Sequence, residues 1–126
     1  MPARSPEDCD RLLAEYLAAG ALDDILALYE PQALFYTEDG QRLVGHDGIA
    51  TFFGAAASAT PRLRYNIIEV LRDGDDLAML YNDWTLTVTA PDGATIEQRG
   101  KAIEVVRRQA DGSWRFAIDD PFGRSR

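Results

Sequence analysis

Apolar positions recur at helical spacing in the N-terminal part of the chain and at strand spacing afterwards. Ser5, Pro6, Glu7 and Asp8 form a helix start: a capping hydroxyl, a proline in the first turn, then acids that suit the positive end of the helix dipole. Leu12, Leu13, Tyr16 and Leu17 follow on one face, and Gly20 ends the segment. A second short helix is predicted over Leu22 to Tyr29, stopped by Pro31. Ala33 to Thr37 reads as a short strand that turns at Asp39-Gly40 into Arg42 to Val44. A third helix is predicted over Asp47 to Ala57, with Ile49, Phe52 and Phe53 apolar, and Thr60-Pro61 breaks it.

The remainder is strand-rich. Predicted strands run over Leu63 to Leu71, Leu77 to Thr89, Ala94 to Gln109 and Trp114 to Ile118. Asp73-Gly74, Asp92-Gly93 and Asp111-Gly112 lie between them as hairpin signals. In the second of these strands Leu80, Asn82, Trp84, Leu86 and Val88 alternate with Tyr81, Asp83, Thr85, Thr87 and Thr89. The first set belongs against the helices, where Asn82 needs a hydrogen-bond partner. The second set faces water or a partner subunit. Helices followed by a long meander imply an α+β fold, with the helices on one face of a curved antiparallel sheet.

At 126 residues the chain is read as one domain, 1–126. A chain of that size hides roughly two-thirds of its unfolded surface, enough for one core and a modest cavity. Charge narrows the partners. The net charge is −8 and no basic run exists, so binding to nucleic acid through phosphates is disfavoured, as is an anionic membrane surface. Cys9 and His46 are each the sole residue of their type. No cysteine–histidine metal pattern arises, and any histidine-based triad would have to use His46, which sits at a helix start where a capping role fits better. Cys9 near the first helix start is either a thiol acidified by the helix dipole or an ordinary surface or core thiol. The N-terminal stretch lacks an apolar signal-peptide segment, and a cytoplasmic location is the default expectation.

The segments AEYLAAGALDDILALYEPQALFYTEDG, LVGHDGIATFF, DWTLTVTAPDG and GKAIEVVRRQADGSWRFAIDDPFG together resemble the NTF2-like superfamily. The last of them resembles its SnoaL-like and ketosteroid-isomerase-like branch. The resemblance implies a cone: three N-terminal helices packed on a strongly curved antiparallel sheet. It further implies a small apolar ligand, cofactor-free chemistry, and a homodimer formed through the outer sheet face. In the isomerases a tyrosine of the first helix and a protonated acid on a late strand hold an oxyanion. Tyr16 and Glu104 match those places. The proton-moving aspartate of the isomerases has no counterpart, since Tyr36 or Thr37 stands there. In SnoaL-like cyclases an acid on the last strand acts as base, and Asp119 is its nearest match.

Each candidate has a structural alternative. Glu104 lies between Ile103 and Val105, so strand parity alone leaves it facing the cavity or paired outside with Arg107 or Lys101. Asp119 and Asp120 point to opposite faces if the strand continues to them. Tyr16 is a core residue or a pocket lip. Trp84 is core and a wall suited to a ring-containing ligand, with Phe53, Tyr36 and Asn82 as further ligand contacts. The expected function is a hydrophobic pocket for a mostly apolar molecule with a carbonyl or hydroxyl. Asp119 or Glu104 would move a proton in an isomerisation, cyclisation or dehydration. The alternatives are a non-catalytic binding or assembly module and a helper domain of a larger enzyme.

Overall fold

The computed structural model describes residues 2–126. Helix α1 spans Pro6–Ala19, α2 Leu22–Ala27 and α3 Gly45–Ser58. The strands are β1 Tyr29–Tyr36, β2 Arg42–Val44, β3 Arg62–Asp73, β4 Leu77–Thr89, β5 Thr95–Arg108 and β6 Trp114–Asp120. They form one curved six-stranded sheet in the order β2-β1-β6-β5-β4-β3.

The N-terminal helix forms for the reasons legible in its sequence. The Ser5 side chain accepts a bond from the Asp8 amide, and Gly20 closes the helix in the left-handed region at φ 66°. The second helix is shorter than expected. It ends at Ala27, and Tyr29, anticipated on its apolar side, opens β1 instead. Pro31 therefore lies inside a strand. The pairing of β1 with β6 is irregular between Tyr29 and Leu34, which is where a residue without an amide hydrogen can be accommodated. The sheet is also mixed: β1 and β6 run parallel, whereas every other pair is antiparallel.

Register shifts in β3–β4 between Ile67 and Glu69, and in β5–β6 between Val105 and Val106, mark bulges. An extra residue on one strand bends a sheet and increases its twist. The helices pack on the concave side. Leu12, Leu13 and Leu17 of α1, Ile25 of α2, and Ile49 and Phe53 of α3 pack against Phe35, Leu80, Val106 and Phe116. Each such side chain contributes roughly 1.5–3 kcal/mol through burial. A smaller cluster of Trp84, Ala102 and Phe122 lies apart from this core. Between the two clusters the concave surface is not filled.

The last strand reaches Asp120, two residues beyond the expected end. That extension settles the orientation of the acids. Asp119 pairs with Glu104 across β5–β6 and with Phe35 across β1–β6, so all three side chains point to the concave side. Ile103 and Val105 face outward.

Candidate active site

A cavity of about 620 Å³ occupies the concave side of the sheet. Leu13 and Leu17 of α1, Phe52, Phe53 and Ala56 of α3, and Leu63, Tyr65, Trp84 and Leu86 of β3 and β4 supply its apolar wall. Thr37, Glu38 and Asp39 of the β1–β2 turn line it together with Gln98; Glu38 and Asp39 are exposed and so belong to the opening. Glu104 and Asp119 also line it, yet each is only 2% exposed, so they form its floor.

Trp84 can lie flat against the wall because β5 carries Gly100 opposite it. A Cβ at Gly100 would overlap the indole ring. The indole Nε1 donates to the Pro121 carbonyl at 2.7 Å, which ties the wall to the chain after β6.

The floor is a network of acids. The Tyr29 hydroxyl donates to Asp119 Oδ2 at 2.5 Å. The Asn82 amide donates to Asp10 Oδ2 and to Glu104 Oε1, each at 3.1 Å. Asp10 is 1% exposed and Asn82 fully buried. Asp119 Oδ1, Asp10 Oδ1 and Asn82 Oδ1 are buried and accept no hydrogen bond among the described residues. No lysine or arginine is ion-paired with Asp10, Glu104 or Asp119 among the described residues.

Burial without a compensating cation raises the proton affinity of every acid in the group. Burial, then the charges of Asp10 and Asp119, push the Glu104 carboxyl well above the usual carboxylate range. Burial raises Asp10 to about 6, opposed by hydrogen bonds from Glu104 and Asn82. Glu104 is thus the protonated partner and donates to Asp10. Burial raises Asp119 to about 7, opposed by the Tyr29 hydrogen bond and reinforced by the charges of Asp10 and Asp120. Near neutral pH, Asp119 is the cavity acid positioned both to accept and to release a proton.

The expected site residues separate into three groups. Glu104, Asp119, Trp84 and Phe53 line the cavity together. Asn82 is on the expected face but does not line the cavity; its amide is committed to holding Asp10 and Glu104. Tyr16 and Tyr36 are corrections. Tyr16 is one helical position away from the cavity residue Leu17 and lines a separate groove of about 230 Å³ with Asp24, Leu28 and Trp114. Tyr36 follows Phe35 in β1, so alternation turns it away from the cavity that Phe35 lines.

Three residues at or behind the cavity escaped the sequence reading. Asp10 falls on the stripe of Pro6, Leu13 and Leu17, and a lone acid on an apolar helix face was a usable signal. Tyr65 shares the inner face of β3 with Leu63 and Ile67 and lines the cavity wall. Tyr29 was absorbed into a helix. Neither His46 nor Cys9 lines the cavity, and Cys9 is the core thiol that was one of its two expected readings. His46 is half-buried, with Nε2 2.9 Å from the Tyr29 carbonyl oxygen. Cys9 is buried, and desolvation followed by the charges of Asp10 and Asp8 drives its thiol up, not down, so it is inert.

A curved sheet with three helices on its concave side and a deep cavity between them defines a pocket-bearing protein of the NTF2-like class. The chain belongs to the SnoaL-like domain family, whose model matches residues 10–117. Solved structures share the fold at low identity. Aln2 from a Streptomyces species is 21% identical, with a TM-score of 0.79 over 94% of this chain and 91% of that one. A conserved protein from Planctomyces limnophilus is 17% identical, with a TM-score of 0.79 over 92% and 91%. A ketosteroid isomerase-like protein from Erwinia carotovora atroseptica is 19% identical, with a TM-score of 0.75 over 90% and 89%. No curated protein matches.

Proposed function

We propose that the protein binds a small, mostly apolar molecule in the concave cavity and catalyses a cofactor-free proton transfer on it, with Asp119 as the acid–base group. The carrying observation is Asp119 itself: a floor carboxyl with one oxygen oriented by Tyr29 and the other without a partner among the described residues. The Tyr29 bond fixes the carboxyl plane, so Oδ1 is presented in a set direction. Glu104 supports this as a neutral neighbour that stays protonated while Asp119 cycles. Isomerisation, aldol-type cyclisation and dehydration each need this one proton-moving step.

The step can be measured before the natural substrate is known. A cyclic ketone such as 2-tetralone, incubated with the protein in D₂O, exchanges its α-hydrogens if a base removes them. The wild type should accelerate this exchange over buffer, and Asp119→Asn should lose at least about 100-fold of the acceleration. Exchange that proceeds equally well in Asp119→Asn, or in Asp119→Asn with Glu104→Gln, rules out the assignment.

Pairing of two copies is a second element of the reading. Domains of this family bind small ligands and often form dimers. The outward face carries a row of apolar residues in register across all six strands: Val44, Leu34, Ile118, Val105, Met79 and Leu71. Val44, Ile118 and Leu71 are exposed. This row lies beside the polar set of β4 first expected at an interface. Tyr81 and Asp83 of that set are instead engaged by the chain's own Arg124, which sits 5.2 Å from the Tyr81 ring and 3.0 Å from Asp83. A homodimer through the apolar row should dissociate on Val105→Lys, read by sedimentation. A monomeric wild type excludes it.

A further inference from the structure

The reading above leaves the charge of the ligand open, and the cavity itself constrains it. Four acids line the cavity, Glu38 and Asp39 at the opening and Glu104 and Asp119 at the floor, with Asp10 directly behind. No lysine, arginine or histidine is among the described lining residues. The nearby arginines are committed elsewhere: Arg126 to Asp120 and to the Thr37 and Glu38 carbonyls, Arg124 to Asp83.

Two features of the site point to a partner of opposite charge. Asp119 is 2% exposed, lines the cavity, and has an oxygen that accepts nothing from the described residues. A buried acceptor of this kind is satisfied by a donor arriving with the ligand. The walls add Phe35, Phe52, Phe53, Tyr65, Trp84 and Phe122, six aromatic rings around one space. Ring faces attract a cation within about 6 Å, more strongly once it is desolvated. An anion entering this space would lose its water and meet two exposed acids, a buried acid floor and no lysine, arginine or histidine among the described lining residues.

We infer that the ligand carries a positively charged nitrogen, an amine or iminium on a ring-containing apolar body, seated with its N–H toward Asp119 Oδ1 among the aromatic rings. The inference rests on the reading of this cavity as the ligand site. It adds that a protonated nitrogen is selected over an uncharged hydroxyl or carbonyl, and that carboxylates are rejected.

Three probes on the same naphthyl body decide it: 2-naphthylmethylamine, 2-naphthylmethanol and 2-naphthoate, titrated calorimetrically into the 126-residue protein at pH 8. The amine should bind at least about ten-fold more tightly than the alcohol, and the carboxylate most weakly. Asp119→Asn should bring the amine to within about three-fold of the alcohol while leaving the alcohol nearly unchanged. An alcohol that matches the amine in the wild type overturns the charge inference alone and leaves the apolar cavity standing. So does a carboxylate that binds best, or an Asp119→Asn protein that weakens amine and alcohol equally. If none of the three binds, the cavity reading falls together with the inference. The wild-type ranking suffices even where the variant does not fold.

Discussion

The hydroxyl of Tyr29, the first residue of β1, donates a 2.5 Å hydrogen bond to Oδ2 of Asp119 near the end of β6. The two residues are 90 positions apart, and the bond crosses the parallel β1–β6 pair that joins the hairpin to the meander. It stabilises the ionised carboxylate against the cost of burial. Tyr29→Phe keeps the ring and its packing against Phe116, 4.8 Å between centroids, but removes the donor. The Asp119 carboxyl should then titrate above its present value of about 7. Carboxyl ¹³C NMR reads this directly, and an unchanged or lower midpoint would show that Tyr29 does not hold the charge.

The buried acids make stability depend on pH in an unusual direction. Asp119 faces Tyr29 of β1, Asp10 of α1, Tyr65 of β3, Glu104 of β5 and its neighbour Asp120. In the unfolded chain an aspartate titrates near 4, whereas folded Asp10 and Asp119 titrate at about 6 and about 7. Between those values the folded state holds more protons than the unfolded one, so stability falls as pH rises. The stability contributed by the protonated acids is fully present below about pH 4 and lost on passing through 6 and 7. The wild type should therefore be less resistant to urea at pH 8 than at pH 5. Asp119→Asn should flatten that slope and be more stable than wild type at pH 8 by on the order of 2–4 kcal/mol. Resistance that increases from pH 5 to pH 8 would mean that these acids are hydrated in the folded protein.

Much of this arrangement was legible in the sequence, and the part that was not has a physical cause. Alternation in β4 placed Leu80, Asn82 and Trp84 on the inner face because that side of the strand is apolar but for Asn82. The same rule was silent for Glu104, since Ile103 and Val105 make the other face apolar as well. The ladder resolves it: Asp119 and Phe35 lie in register with Glu104, and the outward apolar residues belong to the row across the sheet. Tyr29 was lost to local periodicity, which could not anticipate that Phe116, its distant parallel partner on β6, would draw it into a strand. Tyr16 was carried to the pocket by resemblance, and a displacement of one helical position puts it in a different groove.

Asn82 is the group that allows two acids to share the region behind the floor. Its amide is the donor common to Asp10 and Glu104. Asn82→Leu approximates its volume and removes both bonds, leaving a carboxylate and a carboxyl short of a donor in a dry site. A loss of roughly 2–6 kcal/mol is expected, about 1–3 for each group that loses its bond. Urea midpoints at pH 7 measure it. A loss under about 1 kcal/mol would mean that water reaches the pair.

Gly100 sets the shape of the cavity through Trp84. The two are opposite one another in the β4–β5 ladder, and the absence of a Cβ lets the indole lie over the β5 backbone. The atoms that a Cβ would meet are Cζ2, Cε2 and Nε1 of a ring already fixed by its bond to the Pro121 carbonyl and by edge-on packing against Phe122, 5.3 Å between centroids. The ring cannot yield without breaking one of these contacts. Gly100→Ala should therefore cost about 1–3 kcal/mol by overpacking. It should also move the Trp84 wall, so that affinity for a ring-containing probe falls even where the protein remains folded. Indole ¹H–¹⁵N NMR separates the two effects, because the Trp84 Nε1 resonance reports the Pro121 bond while that of Trp114 serves as an internal control. A variant with wild-type stability and an unshifted Trp84 resonance would show that the strand itself gives way, and that Gly100 is not what holds the wall in place.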